Sequence, residues 1–211
     1  TSIICTDKTG TLTENRMTVT QYVLEEGMIE VESSQGSTEV FVKDGKHISP
    51  DEDEVLRESL DVGVFCNNAS ITEDESGSFQ MFGEPLEAAL LVAGSKAGIR
   101  RKELVDTMPE VREEGFDSST KMMATFHKIN GRYRVAVKGA AEAVLDCCDK
   151  VRRASETLEL DEKQKQQWLD RNRQLAQQGL RILTLASKEV DSTDQAPYKG
   201  LTLLGLVGMM D

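Results

Sequence analysis

Asn130-Gly131 stands between two runs that both read as strands, Lys121–Ile129 and Arg132–Gly139. Asn-Gly in that setting is the strongest short hairpin signal, because both residues tolerate the positive φ of a type I′ turn. A two-residue turn also sets the register, so Ile129 faces Arg132 and Met123 faces Lys138. Side chains alternate along a strand. Lys121, Met123, Thr125 and His127 therefore share one face with Arg134, Ala136 and Lys138. Met122, Ala124, Phe126, Tyr133, Val135 and Val137 share the other, which is apolar and is expected to be the buried one. Lys121 and Lys138 then stand as diagonal neighbours at the open end of the polar face, where like charges repel unless they share an anion.

The rest of the chain supplies strands and helices in no regular βαβ rhythm. Met17–Glu26 alternates as a strand, and Met28–Ser33 and Glu39–Lys43 suggest two more, with turns at Asp44-Gly45 and Ser49-Pro50. Pro50 followed by four acids (51–54) reads as a helix start, with carboxylates at the positive end of the dipole. That helix carries Val55, Leu56, Leu60, Val64 and Phe65 toward a core and ends near Asn67-Asn68. The acid cluster is its cap, not a metal site.

Thr72–Ser78 reads as a loop. Glu84–Ala97 is a second helix, with Pro85 in its first turn and Leu86, Ala89, Leu90 and Ala93 on one stripe. Ala140–Cys148 fits a third, short helix. Asp161–Gln178 is a fourth, ending at Gly179, with Trp168 as a packing residue. Leu180–Glu189 and Leu201–Met210 read as strands, the second central because it is nearly all apolar. The fold class expected is α+β, a mainly antiparallel twisted sheet flanked by helices.

With 38% apolar and 29% charged residues, the composition is that of a soluble globular domain. The longest apolar run, Leu201–Met210, falls short of the roughly 18 residues a membrane span needs. No direct membrane insertion and no signal peptide are expected. A net charge of −12 argues against nucleic acid or anionic lipid as a partner. The four cysteines lack zinc-ligand spacing and are expected to be reduced thiols. His47 and His127 are isolated in sequence and read as ordinary surface or strand residues.

Two segments carry chemistry. The first is Cys5-Thr6-Asp7-Lys8-Thr9-Gly10-Thr11-Leu12-Thr13. It places the Asp7 carboxylate on a turn, with Lys8 as a charge source, Gly10 to let the backbone approach an anion, and the Thr9 and Thr11 hydroxyls as donors. A carboxylate so placed is a competent phosphoryl acceptor when a cation matches its charge. The second is Phe116, five residues before Lys121. An aromatic ring beside two lysines suits a nucleotide, by stacking on the base and by charge toward the phosphates. No glycine-rich phosphate loop is present, so a nucleotide would have to be held by side chains.

The run from Asp7 to Val19 resembles the phosphorylation motif of the P-type ATPases, in the cation-pump branch that includes calcium and sodium/potassium pumps. The likeness extends along the chain. Gly83-Glu84-Pro85-Leu86-Glu87 is similar to the family's Gly-Asp-Pro-x-Glu run, which assigns Glu87 to the adenine region. Phe116 and Lys121 match the family's Phe-x-x-x-x-Lys segment, for adenine and phosphate. Lys138-Gly139-Ala140 matches its Lys-Gly-Ala motif. Gly179-Leu180-Arg181-Ile182-Leu183 resembles the segment whose arginine contacts phosphate, which places Arg181 and Leu183 in the pocket. Leu86 and Ser118 depart from the pattern, standing where threonine and, in calcium pumps, arginine are common.

The resemblance implies a phosphorylation-domain stub over residues 1–14 and a nucleotide-binding domain over 15–211, ending at the hinge with Asp211. It implies ATP and magnesium as cofactors, with magnesium held at Asp7 and Thr9 once the phosphorylation domain is intact. It implies that Asp7 takes the γ-phosphate, aided by Lys8 and Thr9, to drive cation transport at the cytoplasmic face of a membrane. Calcium is favoured as the cation. The partners implied are ATP or ADP and the phosphorylation, actuator and membrane domains of the same pump. The later magnesium-binding motifs are absent, so an excised piece is expected to bind nucleotide without turnover. Two alternatives stand beside this reading: an aspartate-dependent phosphatase, disfavoured because Thr9 occupies the general acid/base position, and a non-catalytic interaction domain.

Overall fold

A computed structural model describes residues 17–32, 40–73 and 79–211. The expected stub over 1–14, with Asp7, Lys8 and Thr9, lies outside the described residues. The chain first forms the hairpin β1 (Thr18–Leu24) and β2 (Gly27–Val31). A second hairpin, β3 (Phe41–Lys43) and β4 (Lys46–Ile48), closes through Asp44-Gly45. The turn was legible in advance; β4, three residues with no alternation to read, was not.

A single 3₁₀ turn over Pro50–Glu52 leads into α1 (Glu54–Phe65). Asp53 caps it, its Oδ1 accepting the Leu56 N–H at 3.0 Å. The acid cluster is thus a cap, as expected, and such a cap contributes about 1 kcal/mol. After α1 come β5 (Ser70–Glu73) and β6 (Phe79–Phe82), a separate two-stranded sheet. Thr72 and Glu73 therefore continue a strand, which corrects the loop reading at that end of 72–78.

Next are α2 (Pro85–Lys96), α3 (Arg101–Thr107) and β7 (Glu110–Asp117). The hairpin β8 (Met122–Ile129) and β9 (Arg132–Gly139) has the expected register, Ile129 opposite Arg132 and Met123 opposite Lys138. Asn130 and Gly131 take φ of 46° and 80°, the left-handed pair that a type I′ turn requires. Then follow α4 (Ala141–Asp146), β10 (Cys148–Arg153), β11 (Glu156–Glu159), α5 (Glu162–Gln177), β12 (Arg181–Val190) and β13 (Leu201–Met210).

All the long strands join one 11-stranded sheet in the order β4-β3-β2-β1-β13-β12-β9-β8-β7, with β10 branching from β13 and β11 pairing with β10. Its pairings are antiparallel except β10 against β13. The fold is α+β, and β13 is central as its apolar run required: Leu203, Leu204, Leu206 and Val207 have no exposed surface.

One hairpin expectation fails. Both faces of β8 and β9 are buried, because the sheet carries a core on each side. Helices α1 and α2 cover one face, where Leu56, Leu60, Phe65 and Leu90 pack with Tyr22, Ile29, Met123 and Leu185. Helices α4 and α5 cover the other, where Val144 and Trp168 pack with Phe126, Val137 and Leu206. Each such side chain contributes on the order of 1.5–3 kcal/mol by burial.

The polar residues of the first face are accommodated by hydrogen bonds. His127 lies wholly buried, 4.1 Å from the Phe65 ring, with its two nitrogens toward the Met108 carbonyl (3.2 Å) and Thr125 Oγ1 (2.9 Å). It is the strand residue expected, and His47 is exposed on β4. Cys66, Cys147 and Cys148 are free thiols.

Candidate functional site

Sheet register alone gathers the expected site residues at one end of four adjacent strands. Asp117 on β7 pairs with Met122 on β8, Met122 with Gly139 on β9, and Gly139 with Thr184 on β12. Phe116 precedes the first member of that rung and Lys121 the second. On β12 Leu183 lies one residue past this rung, and Arg181, at the start of the strand, lies three residues past it. Lys138 stands one rung inward, paired with Met123 and Leu185. Residues far apart in sequence are thus brought toward one end of the sheet, where β7 ends, β8 begins and β9 ends.

Glu87 reaches this end from the first turn of α2. Its Oε1 accepts from Lys138 Nζ at 2.6 Å, with 13% and 7% of the respective side chains exposed. Lys138 Nζ also donates to the Cys66 carbonyl. Oε2 of Glu87 accepts the Asn68 backbone N–H at 3.2 Å. The Asn68 side chain donates to Glu113 Oε1 on β7 at 2.7 Å. Beneath it Asn67, fully buried, donates to the carbonyls of Gly63 (3.0 Å) and Glu87 (2.9 Å) and accepts the Ala69 N–H (2.9 Å). The turn 66–68 after α1 therefore touches β9, α2 and β7 at once. Burial pushes the Cys66 thiol up to about 11, so it stays protonated while its Sγ faces the Met123 carbonyl.

The two lysines do not share an anion site as the hairpin geometry suggested. Lys121 takes φ of 56°, donates its N–H to the Asp117 carbonyl at 2.7 Å, and so leaves the pleat before the strand alternation begins. Its ammonium meets Glu142 of α4 at 3.2 Å, both side chains being mostly exposed. Hydrogen bonds from its own backbone N–H, and then from Lys121, hold the Glu142 carboxyl below the usual carboxylate range. Lys138 instead points under α2. Each lysine has its own carboxylate.

Phe116 is 67% exposed and sits where the β7–β8 register slips between Glu114 and Asp117, a bulge of the kind that re-aims a side chain. Gly139 is required sterically, since a Cβ there would collide with the Lys121 carbonyl oxygen. Arg181 is exposed, and Leu183 packs partly into the core under α1 and α2. Among the described residues no group of three or more His, Cys, Asp or Glu forms a metal-binding cluster. The magnesium ligands expected at Asp7 and Thr9 fall outside the described residues.

Cys66, Asn67, Asn68 and Glu113 join the site without having been singled out in sequence. Two of the groups they contribute, the Cys66 carbonyl and the Asn68 N–H, are backbone groups, which leave no residue signature. The Asn67-Asn68 doublet at a helix end was the one available signal.

The buried Glu87–Lys138 pair, the exposed Phe116 ring and the exposed Lys121 and Arg181 thus lie toward the same end of the sheet. Residues 55–211 match the family described as P-type ATPase, cytoplasmic domain N. The chain belongs to that family. Over its whole length it is 32% identical to Calcium-transporting ATPase 1 of Bacillus cereus and 36% identical to Calcium-transporting ATPase of Bacillus subtilis. It is 34% identical to Probable cation-transporting ATPase F of Mycobacterium tuberculosis. It spans 22%, 24% and 24% of those three relatives. Among the described residues no helix is long and apolar enough to cross a membrane.

Proposed function

We propose that this domain binds ATP or ADP at the sheet end formed by Glu87, Phe116, Lys121, Lys138, Gly139, Arg181 and Leu183. In this reading it serves an ATP-driven cation transporter, with calcium as the cation. The observation that carries it is the buried Glu87–Lys138 pair at the end of β9, with the exposed Phe116 ring two strands away at the end of β7. Each Glu87 oxygen keeps one lone-pair direction unused, and Lys138 keeps one N–H. That donor and acceptor set fits the edge of a base. Phe116 offers a stacking face, and Lys121 and Arg181 offer charge toward phosphates. ATP, when bound, supplies the phosphoryl group; the residues described here hold and orient it.

The proposal extends to the longer protein. Residues 15–211 act as its nucleotide-binding domain, and Asp7, with Lys8 and Thr9, is the phosphoryl acceptor of a site completed by magnesium and by the other domains of the pump. The calcium assignment rests on the names of the relatives from the two Bacillus species.

An NMR titration with ATP tests the reading. Shifts are expected at Phe116, Lys121, Lys138 and Arg181, with affinity lost in Phe116→Ala and Lys138→Ala. No shift at any of these positions at millimolar ATP would overturn it. ATP turnover by this chain alone should be negligible, and a pump-like rate would contradict the division of labour proposed.

A further inference from the structure

We infer that the Asn67-Asn68 turn sets the base selectivity of this site, acting as a pair of positioning residues for Glu87. The inference rests on the nucleotide reading above and names what enforces its preference for adenine.

A base edge is read by matching donors to acceptors. Adenine presents an amino donor beside a ring-nitrogen acceptor, whereas guanine presents a carbonyl acceptor at the equivalent place. The free lone pairs of Glu87 accept from the first and repel the second, while the remaining N–H of Lys138 serves the ring nitrogen. That discrimination needs a carboxylate that cannot turn away. Glutamate is long and loses appreciable rotamer entropy when fixed, so something must fix it.

Lys138 alone does not, since one contact at Oε1 leaves the carboxylate free to rotate about it. The second hold is the Asn68 N–H on Oε2, at 3.2 Å. Asn68 is itself anchored across to Glu113 at 2.7 Å. Asn67 binds the Glu87 carbonyl at 2.9 Å and the last turn of α1 through Gly63 at 3.0 Å. Both ends of the Glu87 residue, main chain and carboxylate, are therefore held by one turn. The same turn supplies the Cys66 carbonyl that orients Lys138. The reference for this carboxylate is thus the last turn of α1, through the Gly63 carbonyl.

The test measures ATP and GTP affinities by calorimetry for the wild-type chain, Asn67→Ala, Asn68→Ala, Glu87→Gln and Asn68→Ala/Glu87→Gln, with a thermal melt of each. The wild type is expected to prefer ATP. Both asparagine variants keep the Asn68 N–H but remove an anchor of the turn that aims it, so each should lower the ATP-to-GTP affinity ratio by up to about fivefold, the size of one oriented hydrogen bond. In the Glu87→Gln background Asn68→Ala should change that ratio no further. A turn with a merely structural role would lower the melting temperature, or both affinities in parallel, and leave the ratio intact. That result overturns the inference, as does an undiminished effect of Asn68→Ala on top of Glu87→Gln. Should Asn67→Ala fail to fold, the exposed Asn68→Ala decides. A wild-type chain that binds neither nucleotide overturns the nucleotide reading itself, whereas binding with an unmoved ratio overturns only the positioning role.

Discussion

Glu87 Oε1 and Lys138 Nζ lie 2.6 Å apart under the start of α2, with little of either side chain open to solvent. Two charges so enclosed stabilise the fold only as a pair. Removing one leaves the other in a poorly solvated place, at a cost on the order of 3 kcal/mol. Lys138→Met should therefore lower the unfolding free energy by about that amount. Glu87→Gln should cost less, because the amide oxygen still accepts from Lys138. Urea unfolding followed by Trp168 fluorescence reads both, and equal small losses would count against a buried pair.

His127 makes stability depend on pH. Burial lowers its pKa from 6.5 to about 4, with Arg101 and Arg134 adding to the shift and the Met108 carbonyl opposing it. Between those values the unfolded chain binds a proton that the folded chain refuses. Stability present above about pH 6.5 should thus be lost as pH falls toward 4, by up to roughly 3 kcal/mol. Asp61 works in the opposite sense, its carboxyl raised by burial. The His127 contribution is therefore the difference between the wild type and His127→Asn, from urea midpoints at pH 7, 6, 5 and 4. Parallel curves would show that His127 carries none of the slope.

Lys121 holds a left-handed backbone with φ of 56°. Such a conformation costs a non-glycine residue about 1–2 kcal/mol, partly offset by the greater unfolded-state entropy of glycine. Lys121→Gly should leave stability unchanged or raise it by up to about 1 kcal/mol, even though the exposed pair with Glu142 is lost. Nucleotide affinity should fall in the same variant. A loss of stability would show that the turn does not strain Lys121.

Gly139 admits no side chain. A Cβ would meet the Lys121 carbonyl, which already accepts the Ala140 N–H at 3.1 Å, and the Met122 side chain. Gly139→Ala should destabilise by about 2 kcal/mol and shift the Lys121 and Met122 amide resonances. An unperturbed spectrum would contradict the close approach.

The hairpin register could be read from Asn130-Gly131 because turn type and strand alternation are local properties. The burial of its polar face could not. Thr125, His127 and Lys138 look solvated in sequence, and only the arrival of α1 and α2 from elsewhere in the chain makes them interior. Strand β7, Glu-Val-Arg-Glu-Glu-Gly-Phe-Asp, escaped notice for the opposite reason: none of its residues is fully buried, so no periodicity was imposed on it. Of the proposed site, Lys138 was singled out by the hairpin register and Glu87 only by the family resemblance, and their pairing across the fold was not foreseen. The Cys66 carbonyl and Asn68 N–H that hold this pair could not be read, because every residue offers those groups.

Strand β7 pairs only with β8 among the described residues, so its other side is an open template for a further strand. An exposed phenylalanine there would ordinarily invite a second copy of the chain to zip onto it. Here Phe116 is preceded by Glu113 and Glu114 and followed by Asp117, and it sits in a bulge. Any identical edge approaching in register meets the same carboxylates. That local excess of carboxylates over the single Arg112 disfavours pairing with an identical edge, one way in which a strand can carry a bare aromatic ring.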